Sequence, residues 1–263
     1  MQPLRKVISK LKLRASYGQV GNANLGGRRF AYLSTITDDY DTLNMYKWGL
    51  DSSYGLTGMA EGEFAVQDLT WEIVNKMNLG VELGFLNGMI DLQLDYFDER
   101  RKDIFMPRES VPMTAGFMKQ PWKNFGKVTN QGVEVSLNVN KQFGKDLFVS
   151  LMGTFTYAHN EITEKDEPSA VVGTNRAETG HPVGQLTGYI AEGLFTEDDF
   201  EDVSTGKLKE GIPTQSFVSK LRPGDIRYRD VNGDGKVDVF DKSPIGGTKD
   251  PEIVYGFGLN IRI

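Results

Sequence analysis

The sequence predicts an all-β chain whose antiparallel, up-and-down strands form part of a transmembrane β-barrel with long loops on the outer side. Three observations carry this. Six stretches alternate apolar and polar residues with a period of two. The connections between them run long, short, long, short, long, as in a barrel with tight turns at one rim and extended loops at the other. No run approaches about eighteen apolar residues, so a helical span is excluded; strands are not, because only alternate residues meet lipid.

The composition fits this class. The chain has 263 residues, 39% of them hydrophobic, with a mean hydropathy of −0.38. Thirty glycines and 11% aromatic residues favour strands and turns. A net charge of −6 argues against a nucleic-acid partner, which needs a basic surface. There is no cysteine, so disulfides and thiolate chemistry are absent. The first residues, Met1 to Lys6, lack the apolar stretch of a signal peptide. An exported protein would therefore begin upstream of them.

In chain order, Leu11, Leu13, Ala15 and Tyr17 form the apolar face of the first strand, 11–18. Residues 19 to about 70 break the period and read as a long loop containing Gly26-Gly27, the acidic run Asp38-Asp39-Tyr40-Asp41 and scattered aromatics. Met77, Leu79, Val81, Leu83 and Phe85 mark the second strand, 75–86. Asn87-Gly88 is a hairpin dipeptide, and Ile90, Leu92, Leu94 and Tyr96 follow on the third strand, 88–98. Residues 99–130 read as a second long loop, opening with Arg100-Arg101-Lys102. Val133 to Val139 alternate on 131–141, and a turn near Gly144 leads into 146–157. The acidic stretch 159–252 precedes a closing strand, 253–263. Strands 11–18, 88–98 and 146–157 run outward and 75–86, 131–141 and 253–263 run back. The apolar faces meet lipid; Asp91, Gln93, Asp95 and Glu134 face the lumen. A secreted, soluble β-sandwich that binds glycans with calcium support is the alternative, since sandwich strands alternate too.

The acidic stretch carries one motif. From Asp230 it reads D-x-N-x-D-G-x-V-D-x-x-D, the ligand spacing of an EF-hand-type calcium loop. Asp230, Asn232 and Asp234 supply oxygens at positions 1, 3 and 5, and Gly235 permits the turn. Lys236 offers its backbone carbonyl, Asp238 follows at position 9, and Asp241 stands where a bidentate Glu is usual. A structural Ca2+ there would offset the entropy of ordering the loop, about 1–2 kcal/mol per residue. Catalytic patterns are missing: there is no Gly-x-Ser-x-Gly elbow, Walker loop or zinc spacing. His159 and His181 read as exposed loop histidines, and Glu197-Asp198-Asp199 as a chance acidic run. The chain is not expected to be an enzyme.

Five blocks resemble the SusC/RagA family of TonB-linked outer-membrane proteins. They are Leu69-Thr70-Trp71-Glu72 with Asn78 to Glu82; Asp95-Tyr96-Phe97 with Lys102-Asp103-Ile104; Asn124 to Glu134; Gly180 to Tyr189; and Pro223 to Ile226 through the acidic loop to Ile245-Gly246. The resemblance implies a C-terminal-half piece of a 22-stranded type of barrel with a plugged lumen. It implies the outer membrane, a SusD-like surface lipoprotein as partner, TonB acting through a plug domain outside these residues, and an oligosaccharide or peptide as cargo. On this reading residues 1–263 are partial barrel, and 159–252 is an extracellular insertion holding the loop 230–241.

Overall fold

The computed structural model describes residues 7–37, 46–50, 54–56, 59–117 and 119–263; the acidic run at 38–41 lies outside them. Six long strands form one sheet: β1 (Ile8–Asn22), β2 (Glu72–Phe85), β3 (Ile90–Pro107), β4 (Trp122–Phe143), β5 (Leu147–Glu164) and β6 (Ile253–Arg262). Each pairs antiparallel with its sequence neighbour, so the sheet is a meander. The hairpin expected at Asn87-Gly88 is present: Leu86, Asn87 and Gly88 all take positive φ, at 51°, 56° and 84°.

Register converts the alternation into rows across the sheet. Leu13, Val81, Leu94, Val135, Phe155 and Tyr255 are paired in sequence, and so are Ala15, Leu79, Tyr96, Val133, Tyr157 and Ile253. This face stands in the open: Leu13, Tyr255 and, one row on, Phe257 are 74%, 75% and 87% exposed. A sandwich would bury such a face against a second sheet. None covers it among the described residues, which overturns the sandwich reading. On β5 the apolar rows run from Leu147 to Tyr157. About ten residue steps at ~3.3 Å, tilted ~45°, climb ~23 Å, close to the ~25 Å apolar band of an outer-membrane barrel. Tyr17, Tyr96 and Tyr157 stand at its upper margin, where aromatic girdles belong.

The strands outlast that band, which corrects the sequence reading. The loop expected over 99–130 shrinks to 108–121, because β3 continues to Pro107 and β4 starts at Trp122. Beyond Tyr96 and Tyr157 the same face carries Asp98, Arg100, Thr129, Gln131, His159 and Glu161, with Tyr17 in the row of Asp98, and pairing continues between strands that water meets on both sides. Alternation ends with the lipid, whereas the hydrogen-bond ladder does not. Arg101 bonds Glu72 at 2.6 Å and Arg100 bonds Asp98 at 3.0 Å, so the basic run is strand, not loop. At the rim above, the Asp166 carboxylate takes the Arg108 guanidinium and the backbone and hydroxyl of Ser110. Burial pushes its pKa up, but these three donors outweigh it and hold the group below its ordinary value.

The chain divides into two compact units, Met1–Pro168 with Glu252–Ile263, and Ser169–Pro251. The second is built of short ribbons. Gln185–Gly188 pairs with Ser243–Thr248, Ala191–Leu194 with Ile226–Tyr228, and Phe200–Asp202 with Lys207–Leu208; Thr214–Gln215 runs parallel to Lys236–Val237. Phe195, Phe200 and Leu221 form its core, with Leu208, Ile212 and Val218 packed against them. The acidic stretch thus has a hydrophobic centre of its own.

The two-faced wall gives a direct test. Leu94→Arg, on the lipid face, is expected to lower folding stability in lipid vesicles by roughly 2–4 kcal/mol, whereas Ser136→Arg, on the other face, changes it by less than about 1 kcal/mol. Guanidinium titration of the two variants reads the difference.

Candidate functional site

The inner rows of the wall carry paired charge. Register sets Asp95 opposite Glu134, Gln93 opposite Ser136 and Asp91 opposite Asn138, so the polar residues expected in the lumen do share one face. Three cations of β1 converge on two carboxylates of β2 and β3. Glu82 lies 2.7 Å from Lys10 and 3.2 Å from Lys12. Arg14 holds both oxygens of Asp95 at 2.9 Å, and Gln93 Nε2 adds a third donor at 2.8 Å. Arg14 Nε is 3.2 Å from Glu82, in ion-pair contact without hydrogen-bond alignment. Asp95 is only 8% exposed; a carboxylate that buried requires a charged, hydrogen-bonding partner, here one Arg14 nitrogen shared between its two oxygens. Gly80 sits between β1 and β3 in this row, and a Cβ there would fall 2.4 Å from Asp95 Oδ1. The bare backbone at Gly80 is what lets the pair close across it.

The blocks noted in the sequence meet at specific joints. Asn124 donates to the carbonyls of Thr70 and Asp103 and accepts from the Thr70 N–H, at 2.8–3.0 Å. It ties three blocks at the point where the β3–β4 ladder is irregular and Asp103 takes φ 59°. Gly132 lies beneath the Phe97 ring, and a Cβ would meet Tyr157 O at 2.1 Å. Gly188 packs under Ile245, joining the last two blocks in one ribbon.

In the acidic loop, Asp230 accepts from Gly233 and Gly235, Asn232 from Asp234, and Asp234 from Lys236. Asn232 Nδ2 also donates to Asp234 at 3.1 Å. Lys236 Nζ lies 3.4 Å from Asp238, whose carboxylate caps Phe240. Asp241 is fully buried, and its oxygens take the N–H groups of Val231, Asn232 and Asp238. The last residue of the motif therefore cinches the loop with hydrogen bonds. No group of three or more His, Cys, Asp or Glu side chains converges as a metal cage among the described residues. Beside the loop, Tyr189 stacks on Phe217, and Tyr228 packs against both at steeper angles. Burial first, then the charges of Asp238 and Asp241, raises the Tyr189 pKa.

The remaining candidates have structural roles. His159 lies within β5 and contacts Glu252 at 2.6 Å, which corrects its reading as a loop residue. Asp199 accepts the Thr196 N–H and hydroxyl, capping a short turn, and those bonds lower its pKa. Sequence reasoning missed the Arg14–Asp95 pair, whose members are 81 positions apart and meet only through register.

An open meander with lipid-facing apolar rows outside and ion pairs inside is an arc of a membrane-spanning β-barrel. No helix among the described residues is long and apolar enough to cross a membrane; the strands do so. Residues 4–244 match the model of the family described as TonB dependent receptor-like, beta-barrel. The chain belongs to that family, whose members are transporters rather than enzymes, and the SusC/RagA resemblance holds. It is 29% identical to the TonB-dependent receptor SusC of Bacteroides thetaiotaomicron over 90% of its length. It is 24% identical to the TonB-dependent receptor P3 of Formosa agariphila over 97% of its length. The chain spans only 22% and 24% of those relatives. Among solved structures, the RagAB peptide importer in its closed-closed state superposes with a TM-score of 0.63 at 21% identity, over 97% of this chain and 25% of that one. This likeness shows the fold.

Gly80→Ala should force the Arg14–Asp95 pair apart and destabilise the folded state by about 1–3 kcal/mol, the penalty for a buried acceptor left unmatched. Adding Asp95→Asn should recover part of that loss. Equal stability of Gly80→Ala and the parent protein in denaturant titrations would show that the pair tolerates the Cβ.

Proposed function

We propose that this chain is part of the wall of an outer-membrane nutrient importer that works with a SusD-like surface lipoprotein and is energised by TonB through a plug domain. The cargo is an oligosaccharide or a peptide. The observation that carries this is the two-faced wall, apolar toward lipid and lined with paired charge on its other face, in a chain of the TonB-dependent receptor family. A polar, charge-balanced lumen favours hydrophilic cargo and binds no one charge strongly. The likeness to SusC and to RagAB, a peptide importer, supports the class of cargo. Deleting the gene from its native host is expected to abolish growth on one polymeric nutrient, peptide or polysaccharide, and to spare growth on free amino acids and monosaccharides. Unchanged growth on every polymer, with no lipoprotein co-purifying from outer membranes, overturns the reading.

We also propose that Ca2+ binds the loop 230–241 through Asp230, Asn232, Asp234 and the Lys236 carbonyl, with Asp241 organising the turn from behind. The support is the sequence spacing and Gly235 at φ 85°, the conformation the sixth position needs. A ligand set without a bidentate carboxylate predicts weak affinity, about 10⁻⁴–10⁻³ M. Calcium is expected to protect residues 224–246 from protease, and EDTA to reverse this; identical cleavage with and without the metal rejects it.

A further inference from the structure

We propose that the unit Ser169–Pro251 contains a binding site for the carboxylate group of a small ligand, in a cavity of about 490 Å3 walled by Arg176, Lys242 and Lys249. That volume lies within the range of small-molecule sites, about 300–1,000 Å3.

The case rests on charge and on rigidity. Four other cations of this unit are held in ion pairs: Arg227 with Asp199, Arg229 with Glu192, Lys207 with Glu201 and Lys236 with Asp238. Two of the cavity cations sit on aromatic rings. Arg176 lies over the Phe240 ring at 4.8 Å and Lys242 over the Tyr189 ring at 5.6 Å. A cation held on an aromatic face keeps its donors available for an incoming anion. Glu178 is the one carboxylate in the wall, and His181 stands beside it.

The backbone that presents these cations is pinned. Asn175 Nδ2 donates to the carbonyls of Phe240 and Lys242 at 2.9 and 2.8 Å. Gln185 Nε2 reaches the carbonyls of Leu186, Ile245 and Gly247 at 3.0–3.1 Å. Lys249 is held by its N–H on Gly184 O at 3.0 Å. Two amide side chains thus fix both strands of the ribbon before any ligand arrives, so little ordering entropy is lost on binding. The cavity needs this rigidity because its cations are partly exposed, where loose pairs contribute little. A carboxylate between the guanidinium and the two ammonium groups takes charge-assisted hydrogen bonds from all three. The carboxylate can come from a uronic-acid sugar or from the C-terminus of a short peptide.

The test is calorimetry on the intact protein in detergent at low salt. The probes are a digalacturonate, its uncharged digalactose counterpart, a dipeptide acid and the same dipeptide amidated at its C-terminus. One acid is expected to bind at least about tenfold more tightly than its neutral counterpart, and to weaken as sodium chloride rises. Which acid binds identifies the source. Lys249→Ala and Arg176→Gln should each weaken it at least about fivefold, whereas Lys207→Ala, outside the cavity, leaves it unchanged. Lys249→Gln, with circular dichroism as the check on folding, guards against a misfolded variant. Equal binding of acid and neutral probes, or insensitivity to both cavity substitutions, overturns the site. This site rests on the import reading only for its setting: binding is read on purified protein and uptake in cells, so unchanged uptake in the deletion strain with binding intact counts against the import reading and not against this one.

Discussion

Backbone hydrogen bonding is the constraint from which the rest of this structure follows. A peptide N–H or C=O left unpaired in hydrocarbon costs several kcal/mol, so a strand can cross lipid only with a partner on each side. β2 to β5 meet that demand inside the chain. The demand also fixes register, because a one-residue slip would turn every apolar side chain from lipid toward the wet face. Register in turn decides which charges meet. Arg14 finds Asp95 because β2 lies between their strands and offers Gly80 at the crossing point.

How much of this was legible in the sequence follows from the same physics. Leu79, Val81 and Leu83 against Lys76, Asn78 and Glu82 announce a strand with lipid on one face and water on the other, and the period-two signal is strong there. Beyond Tyr96 and Tyr157 both faces are wet. Arg100, Arg101, Thr129 and Glu161 then have no reason to alternate, and the strand vanishes from the sequence while its ladder continues. Composition signals where a strand is half in lipid; it does not signal pairing as such.

The acidic segment was legible in a different way. The spacing of Asp230, Asn232 and Asp234 correctly located a tight turn, and Gly235 does take positive φ. What the spacing could not convey is that Asp241 points back into the loop and is wholly enclosed there. A carboxylate satisfied by three backbone N–H groups and one offered to a cation have the same one-letter code. The cavity cations were unreadable for a related reason: Arg176 and Lys242 are 66 positions apart, and only the ribbon between Gln185–Gly188 and Ser243–Thr248 sets them on one hollow.

The ladder between β3 and β4 beyond the tyrosine margin has a consequence for whatever approaches from outside. A hydrogen-bonded ribbon of this length cannot fold flat as a mobile loop would, so the bend at 108–121 is held aloft, braced by Arg108 on Asp166. It stands like a parapet. Anything that grips that bend would pull on paired strands rather than on slack chain.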